Sequence, residues 1–353
     1  MDTCAVADHH ARVQSGVPAP VDRLGRGLGD LRISVTDRCN FRCPYCMPAE
    51  IYGERYEFLP KPEILTFEEI ARLASVFVGL GVRKLRITGG EPLLRADLPR
   101  LVEQLAALDG VEDLALTTNG SLLEKAAPAL VSAGLQRVTV SLDSLDPATF
   151  AEMSGGRHDP AAVLAGIDAA DAAGLAPIKI NCVVTRGVNE DAVLPMAERF
   201  RGSGHVVRFI EYMDVGTLNA WSGADVFSAD EIVATIGERY PLEALPPSQP
   251  GEVATRYRYS DGAGEIGVIA SVTKPFCGGC TRARLTTDGR LVTCLFAADG
   301  MDLKTPLRAG ESPAALARRI GALWGDREDR YSELRGTSGA SPDEKVEMFQ
   351  IGG

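Results

Sequence analysis

The sequence predicts an α/β fold: a partial, open βα barrel of six parallel strands, followed by a C-terminal extension. Three observations carry the prediction. Short β-prone runs at 31–35, 84–88, 113–117, 137–141, 178–184 and 206–211 alternate with helical patterns of ordinary length, and strands that alternate with helices build parallel sheets. One face of nearly every run is polar. Three cysteines, Cys39, Cys43 and Cys46, crowd the loop directly after the first run, at the carboxyl end of a strand, where βα barrels place their chemistry.

In chain order, residues 1–25 are polar and contain Pro18, Pro20 and Gly25, which predicts a flexible leader. Cys4 lies there and receives no role. The barrel is expected over 26–240. Thr66 followed by Glu69 forms a capping box for a helix that Gly81 closes, and Asn119-Gly120-Ser121 opens another that Gly134 closes. Around 241–252 the chain becomes proline-rich, with Pro241, Pro246, Pro247 and Pro250, which sets the boundary of an extension over 241–353.

The 353 residues, 45% hydrophobic and 24% charged, suffice for one large barrel domain and an appendage. A net charge of −11 argues against a nucleic-acid or anionic-membrane partner, which would reward basic surfaces. No apolar run reaches membrane-spanning length, and Asp2, Asp8, His9 and His10 stand where a signal peptide would need apolar residues. A cytoplasmic protein is expected, and its eight cysteines then point to metal binding or catalysis more than to disulfides.

Period-two patterning sets Arg32 and Ser34 opposite Leu31, Ile33 and Val35, and Lys84, Arg86 and Thr88 opposite Leu85 and Ile87. Thr139 and Ser141, then Lys179 and Asn181, repeat the pattern. If the apolar faces meet the helices, the polar faces line the interior. A lumen holding Arg32, Lys84, Arg86, Lys179 and Arg208 requires partners for its charges, so a polyanionic ligand is expected there. The competing reading makes some of these strands solvated edges.

Three thiolates hold three irons of a four-iron cluster and leave the fourth open to an outside ligand. Zinc and a disulfide compete, but structural zinc takes four ligands and the nearest histidine, His10, is far upstream. A second group follows in the extension: Cys277, Cys280 and, after thirteen residues, Cys294. Between them 285–292 reads as a hairpin with an Asp288-Gly289 turn, which would return Cys294 beside the other two. A second open cluster is one reading, and a zinc ribbon completed by Cys182 or a histidine is the other. Arg282 and Arg284 flank Ala283 directly afterwards, and arginine forks match phosphate oxygens.

The C-x3-C-x2-C spacing, with Tyr45 before its last cysteine, resembles the signature of radical S-adenosylmethionine enzymes. That resemblance implies a [4Fe-4S] cluster on Cys39, Cys43 and Cys46 whose open iron the methionyl group of S-adenosylmethionine chelates. One-electron cleavage would then give methionine and a 5′-deoxyadenosyl radical. Gly89-Gly90-Glu91-Pro92, by itself an ordinary turn, resembles the GGE motif of the same family. Gly90 and Glu91 would contact the cofactor together with Tyr45, Ser141 and Met213; plain core packing is the alternative for Met213.

With the second cysteine group and the closing Gly352-Gly353, the chain from about residue 30 to 353 resembles the GTP 3′,8-cyclase family of molybdenum cofactor biosynthesis. The resemblance implies an incomplete triosephosphate-isomerase-type (TIM-type) barrel closed by the iron-sulfur extension, a homodimer, two [4Fe-4S] clusters and GTP as substrate. Arg32, Lys84, Arg86, Thr117, Lys179, Arg208, Arg282, Ala283 and Arg284 would contact GTP, mostly its triphosphate, and the second cluster would bind the guanine. Gly352 and Gly353 would reach into the active site. The implied reaction takes hydrogen from ribose C3′ and joins C3′ to guanine C8, giving 3′,8-cyclo-7,8-dihydroguanosine 5′-triphosphate. Implied partners are a flavodoxin- or ferredoxin-type reductant and, downstream, cyclic pyranopterin monophosphate synthase. The rival functions are a radical peptide-modifying enzyme with an auxiliary cluster, a zinc-binding structural or regulatory protein, and an iron-sulfur electron carrier.

Overall fold

The computed structural model describes residues 18–156, 158–248, 251–335 and 345–352. Most of the predicted leader, with Cys4, lies outside the described residues, as do Pro250 and Gly353. Six parallel strands follow one another across a sheet: β1 (Asp30–Ser34), β2 (Lys84–Thr88), β3 (Asp113–Thr118), β4 (Arg137–Ser141), β5 (Lys179–Val184) and β6 (Val206–Glu211). Their limits fall within a residue of the expected runs.

The sheet does not stop at six. The extension supplies β7 (Leu242–Leu245), β8 (Thr255–Tyr259), β9 (Glu265–Ile269), β10 (Arg282–Leu285), β11 (Arg290–Val292) and β12 (Met301–Asp302). Strand β9 pairs parallel with β6, and β10 pairs parallel with β1. Antiparallel strands continue outward from both, in the order β12-β11-β10-β1-β2-β3-β4-β5-β6-β9-β8-β7. The extension therefore covers both edges that a six-stranded arc would leave with unpaired backbone groups. The ends β7 and β12 are not neighbours, so the sheet stays open.

The helices behave as their caps dictate. Thr66 Oγ1 accepts from Glu69 N while Glu69 Oε2 accepts from Thr66 N, closing the capping box of the helix Phe67–Gly79. The next predicted opening is displaced: the helix begins at Leu123 with no side-chain cap. Asn119 Oδ1 instead accepts from the backbone and hydroxyl of Ser121, and its amide faces the first cysteine loop. On the helix side of the sheet, Leu31, Ile33, Ile87, Leu116, Val140 and Ile180 are at or below 1% exposure, packed with Ile70, Leu73, Phe77 and Leu130. Burying one such side chain contributes about 1.5–3 kcal/mol. The polar residues between them face the other way, into the interior.

The part of the leader that is described is held in place. Asp22 is buried and accepts from Arg26 Nε at 2.6 Å and Arg327 Nη1 at 3.1 Å, while Val21 bridges Gly27. Residues 18–25 therefore pack as an ordered turn. The predicted hairpin forms as β10 and β11, antiparallel, with Gly289 at φ +84° in the turn. Among the described residues no helix is long and apolar enough to cross a membrane.

Candidate active site

Strand register decides what the interior presents. Arg284, Arg32 and Arg86 are paired neighbours on β10, β1 and β2, so three guanidiniums stand in one row. Arg282, Asp30, Lys84 and Asp113 form the row before it. Further round, Thr117 and Thr139 are partners, and Asn181 partners Arg208. The cavity has a volume of about 620 Å³ and is lined by all six cysteines of the two groups and by these basic residues.

The arginines are only partly satisfied by the protein. Arg86 Nη1 donates to Thr117 Oγ1 and Thr139 Oγ1, both at 3.1 Å, and Arg208 Nε donates to Asn181 Oδ1 at 2.9 Å. Burial, then the neighbouring Arg284 and Arg86, holds Arg32 well below the usual guanidinium range. Burial lowers Arg208 to about 9, and burial with Arg282 lowers Arg284 to about 10. Cations pressed together in this way favour an anion among them. Burial, with Arg208 and Arg137 beside it, also brings Lys179 down to about 8. Below that pH Lys179 carries the charge a phosphate would pair with, and above it the charge is lost. Affinity for a nucleotide triphosphate should therefore fall as pH rises through 8, by up to about tenfold per pH unit for one linked proton. Calorimetric titration of Lys179→Met between pH 7 and 9 should flatten that fall, and an unchanged slope would remove Lys179 from the phosphate site.

The first cysteine loop is zipped to the end of β2. Gly90 N donates to Thr36 O at 2.7 Å and Glu91 N to Arg38 O at 2.8 Å. A Cβ on Gly90 would run into the Arg38 carbonyl, so this turn admits only glycine. Arg42 grips the loop from below, donating to the carbonyls of Cys39, Phe41 and Tyr52 at 2.6–2.7 Å. Asn119 Nδ2 donates to Asn40 Oδ1, and Tyr45 OH to Asp143 Oδ2 at 2.8 Å. Burial, then Glu91, pushes the Cys39 thiol up to about 12; burial likewise raises Cys43 and Cys46. Thiols so placed become stable thiolates only on a bound metal.

Among the described residues no three His, Cys, Asp or Glu side chains are gathered tightly enough to share one metal ion. A mononuclear zinc needs its sulfurs about 2.3 Å from one centre. A cluster holds each thiolate on a separate iron and so spreads them. Cys39, Cys43 and Cys46, three thiols on the wall of one cavity, suit the three-thiolate ligand set of an iron-sulfur cluster.

The second group lies at the other end of the strands. Cys280 stands two residues before Arg282, which is level with Asp30 at the start of β1, whereas Cys39 lies beyond its end. The five residues of β1 separate the two levels by about 16 Å. Arg282 Nη2 donates to Cys280 Sγ at 3.3 Å, with its guanidinium 5.2 Å from the Phe276 ring centre. Burial alone would raise Cys280, but Arg282 and Arg327 outweigh it and bring the thiol down to about 6. Burial raises Cys294 to about 11.

Of the other expected residues, Tyr45, Gly90, Ser141, Met213 and Thr117 line the cavity. Two are not among the lining residues. The Glu91 carboxylate is buried behind the wall and accepts from Thr118 Oγ1, Asn119 N and Leu93 N, so it ties β2 to β3. Ala283 is fully buried on the helix side of β10, because period two turns it away from the face shown by Arg282 and Arg284. Gly352 reaches the row of guanidiniums: its carbonyl accepts from Arg284 Nη1. Its φ of +67° and the Thr88 side chain against its Cα exclude any side chain. Sequence reasoning missed Asp143, which braces Tyr45 and Val183 N, and Arg137, which pairs with Asp113 across β4 and β3.

The radical S-adenosylmethionine superfamily model matches residues 33–200 and the molybdenum cofactor synthesis C-terminal model residues 205–333. Among curated relatives, GTP 3′,8-cyclase of Acidothermus cellulolyticus is 58% identical over 89% of this chain and 88% of its own. The chain belongs to the GTP 3′,8-cyclase family. The enzyme of that name from Xanthomonas axonopodis is 54% identical over 94% of this chain and 98% of its own, and that from Staphylococcus aureus 46% over the same shares. As a GTP 3′,8-cyclase family member this chain is a radical S-adenosylmethionine enzyme, taking S-adenosylmethionine and an iron-sulfur cluster. Among solved structures, Streptococcus suis SuiB bound to S-adenosylmethionine matches with a TM-score of 0.59 at 15% identity, over 88% of this chain and 69% of that one. At that identity it speaks for the fold alone.

Proposed function

We propose that this chain closes GTP to 3′,8-cyclo-7,8-dihydroguanosine 5′-triphosphate, the first step of molybdenum cofactor synthesis, using two iron-sulfur clusters at the two ends of one basic cavity. The observation that carries the reading is the row Arg284-Arg32-Arg86 between two three-cysteine groups in a single cavity. An electron carrier needs no phosphate-sized basic cup, and a closed zinc protein leaves its cations unpaired.

Cys39, Cys43 and Cys46 hold the first cluster, which when bound supplies the electron that cleaves S-adenosylmethionine to a 5′-deoxyadenosyl radical. Tyr45, Gly90, Ser141 and Met213 seat that cofactor. Cys277, Cys280 and Cys294 would hold the second cluster, which would supply a binding point for the guanine. Arg32, Lys84, Arg86, Lys179, Arg208, Arg282 and Arg284 hold the triphosphate, with Thr117 aligning Arg86. The protein's task is positional: ribose C3′ is turned toward the Cys39 end and guanine toward the Cys277 end, with C8 within reach of C3′. Gly352 meets Arg284 through its carbonyl, and the reading assigns it, with Gly353, to a tail that serves the reaction. Cysteines kept as free thiols suit a reducing cytoplasm. A flavodoxin- or ferredoxin-type reductant, a homodimer and hand-over to cyclic pyranopterin monophosphate synthase complete the reading.

Reconstituted protein incubated anaerobically with S-adenosylmethionine, dithionite and GTP should yield 5′-deoxyadenosine and a cyclised nucleotide together. Formation of 5′-deoxyadenosine with GTP untouched would make a peptide the better candidate substrate.

A further inference from the structure

Four charged side chains, Asp22 and Arg26 behind the cavity wall and Arg327 and Asp329 on it, grip the second cysteine loop at each of its three points. Arg26 Nη1 donates to Cys277 O and to Asp329 O, both at 2.8 Å. Arg327 Nη1 donates to Cys280 O at 2.9 Å. Asp329 Oδ2 accepts from Thr293 Oγ1, next to Cys294, at 2.7 Å, and from Arg327 Nε at 3.1 Å. Asp22 joins the set by accepting from both Arg26 Nε and Arg327 Nη1. The side chains of Asp22, Arg26 and Arg327 are at most 2% exposed. A docked helix supports them: Trp324 Nε1 donates to Arg26 O at 2.9 Å, and the Arg327 guanidinium lies 4.5 Å from the Trp324 ring centre.

Two buried guanidiniums and two carboxylates are costly to assemble and do not by themselves stabilise a fold over a well-packed apolar set. Their placement calls for another explanation. Arg26 Nη2 is buried without a hydrogen-bond partner among the described residues, on the side chain whose Nη1 holds Cys277 O.

We propose that Asp22, Arg26, Arg327 and Asp329 are positioning residues for the second cluster: they set the spacing of Cys277, Cys280 and Cys294 and place positive charge behind the thiolates. Asp22 is the keystone, since its carboxylate is the one that accepts from both arginines. The segment before β1 thus belongs functionally to the C-terminal extension, which explains why Asp22 and Arg26 are buried in it. The inference rests on the two-cluster reading above.

The test is iron content and the electron paramagnetic resonance of reconstituted Asp22→Asn and Asp22→Glu, with uncoupled S-adenosylmethionine cleavage as the readout of the first cluster. In Asp22→Asn the second signal should vanish or broaden and the iron fall to about half of the wild-type content, the share of one of two four-iron clusters, while cleavage continues. Asp22→Glu, which keeps the charge, should recover the second signal at least in part. Should Asp22→Asn not fold by circular dichroism, Arg26→Lys takes its place: it keeps the ion pair and loses the bond to Cys277 O. Full iron with an unaltered second signal in the folded variant would overturn the positioning role alone. Wild-type protein that takes up only one cluster would overturn the two-cluster reading and this inference with it.

Discussion

Replacing Cys294 with serine should leave S-adenosylmethionine cleavage within severalfold of wild type while GTP conversion falls by about 10²-fold or more, the scale of loss when a reacting group is misplaced. The asymmetry follows from where the two groups sit. The first is fastened to the ends of β2 and β3 through Gly90, Glu91 and Asn119. The second is carried by β10 and β11 at the opposite end of the strands. On the two-cluster reading, losing one cysteine of the second group would leave the first intact and take away the guanine's anchor. Quantifying 5′-deoxyadenosine and cyclised nucleotide in the same reaction separates the two activities. Equal loss of both would mean that the labour is not divided between the ends of the cavity.

Arg282→Ala with Arg284→Ala should weaken GTP binding by about 10²- to 10⁴-fold, two charge-assisted contacts at about 1.5–3 kcal/mol each. Guanosine binding should change far less. Neither side chain has a carboxylate partner among the described residues. Arg282 meets Cys280 Sγ and the Phe276 ring, and Arg284 meets the carbonyls of Ile351 and Gly352, so on the proposed reading a phosphate would supply the counter-charge. Equilibrium binding of GTP and guanosine to the same variant, with its iron content checked, makes the comparison. Parallel losses for the two ligands would show that the pair seats the tail or the base and does not read phosphate.

Local periodicity made much of this legible. Four of the six strands, β1, β2, β4 and β5, alternate polar and apolar residues strictly enough that their inward faces follow from period two, and the cysteine spacing marks out both three-cysteine groups. The same rule, applied to β10, also turns Ala283 to the core, which the family motif taken as one contiguous segment conceals. What stayed hidden depends on contacts distant in sequence. Glu265–Ile269 reads as an isolated apolar run, and nothing local says that it will lie parallel to β6. Asp22 and Arg26 look like a polar leader because the arginine that justifies their burial is Arg327, about 300 positions away. Glu91 sits in the right turn, yet its carboxylate is claimed by Thr118 and Asn119, which become its neighbours only once β2 and β3 pair.

The most direct test of the account is GTP deuterated at ribose C3′, incubated anaerobically with reconstituted protein, dithionite and S-adenosylmethionine. Transfer of deuterium into 5′-deoxyadenosine, alongside a nucleotide cyclised between C3′ and C8, is the predicted result. It would show that the cavity holds C3′ against the Cys39 end while the arginine row and the second cysteine group hold the rest of GTP. Unlabelled 5′-deoxyadenosine with the deuterium still on intact GTP would contradict that placement and the activity proposed from it.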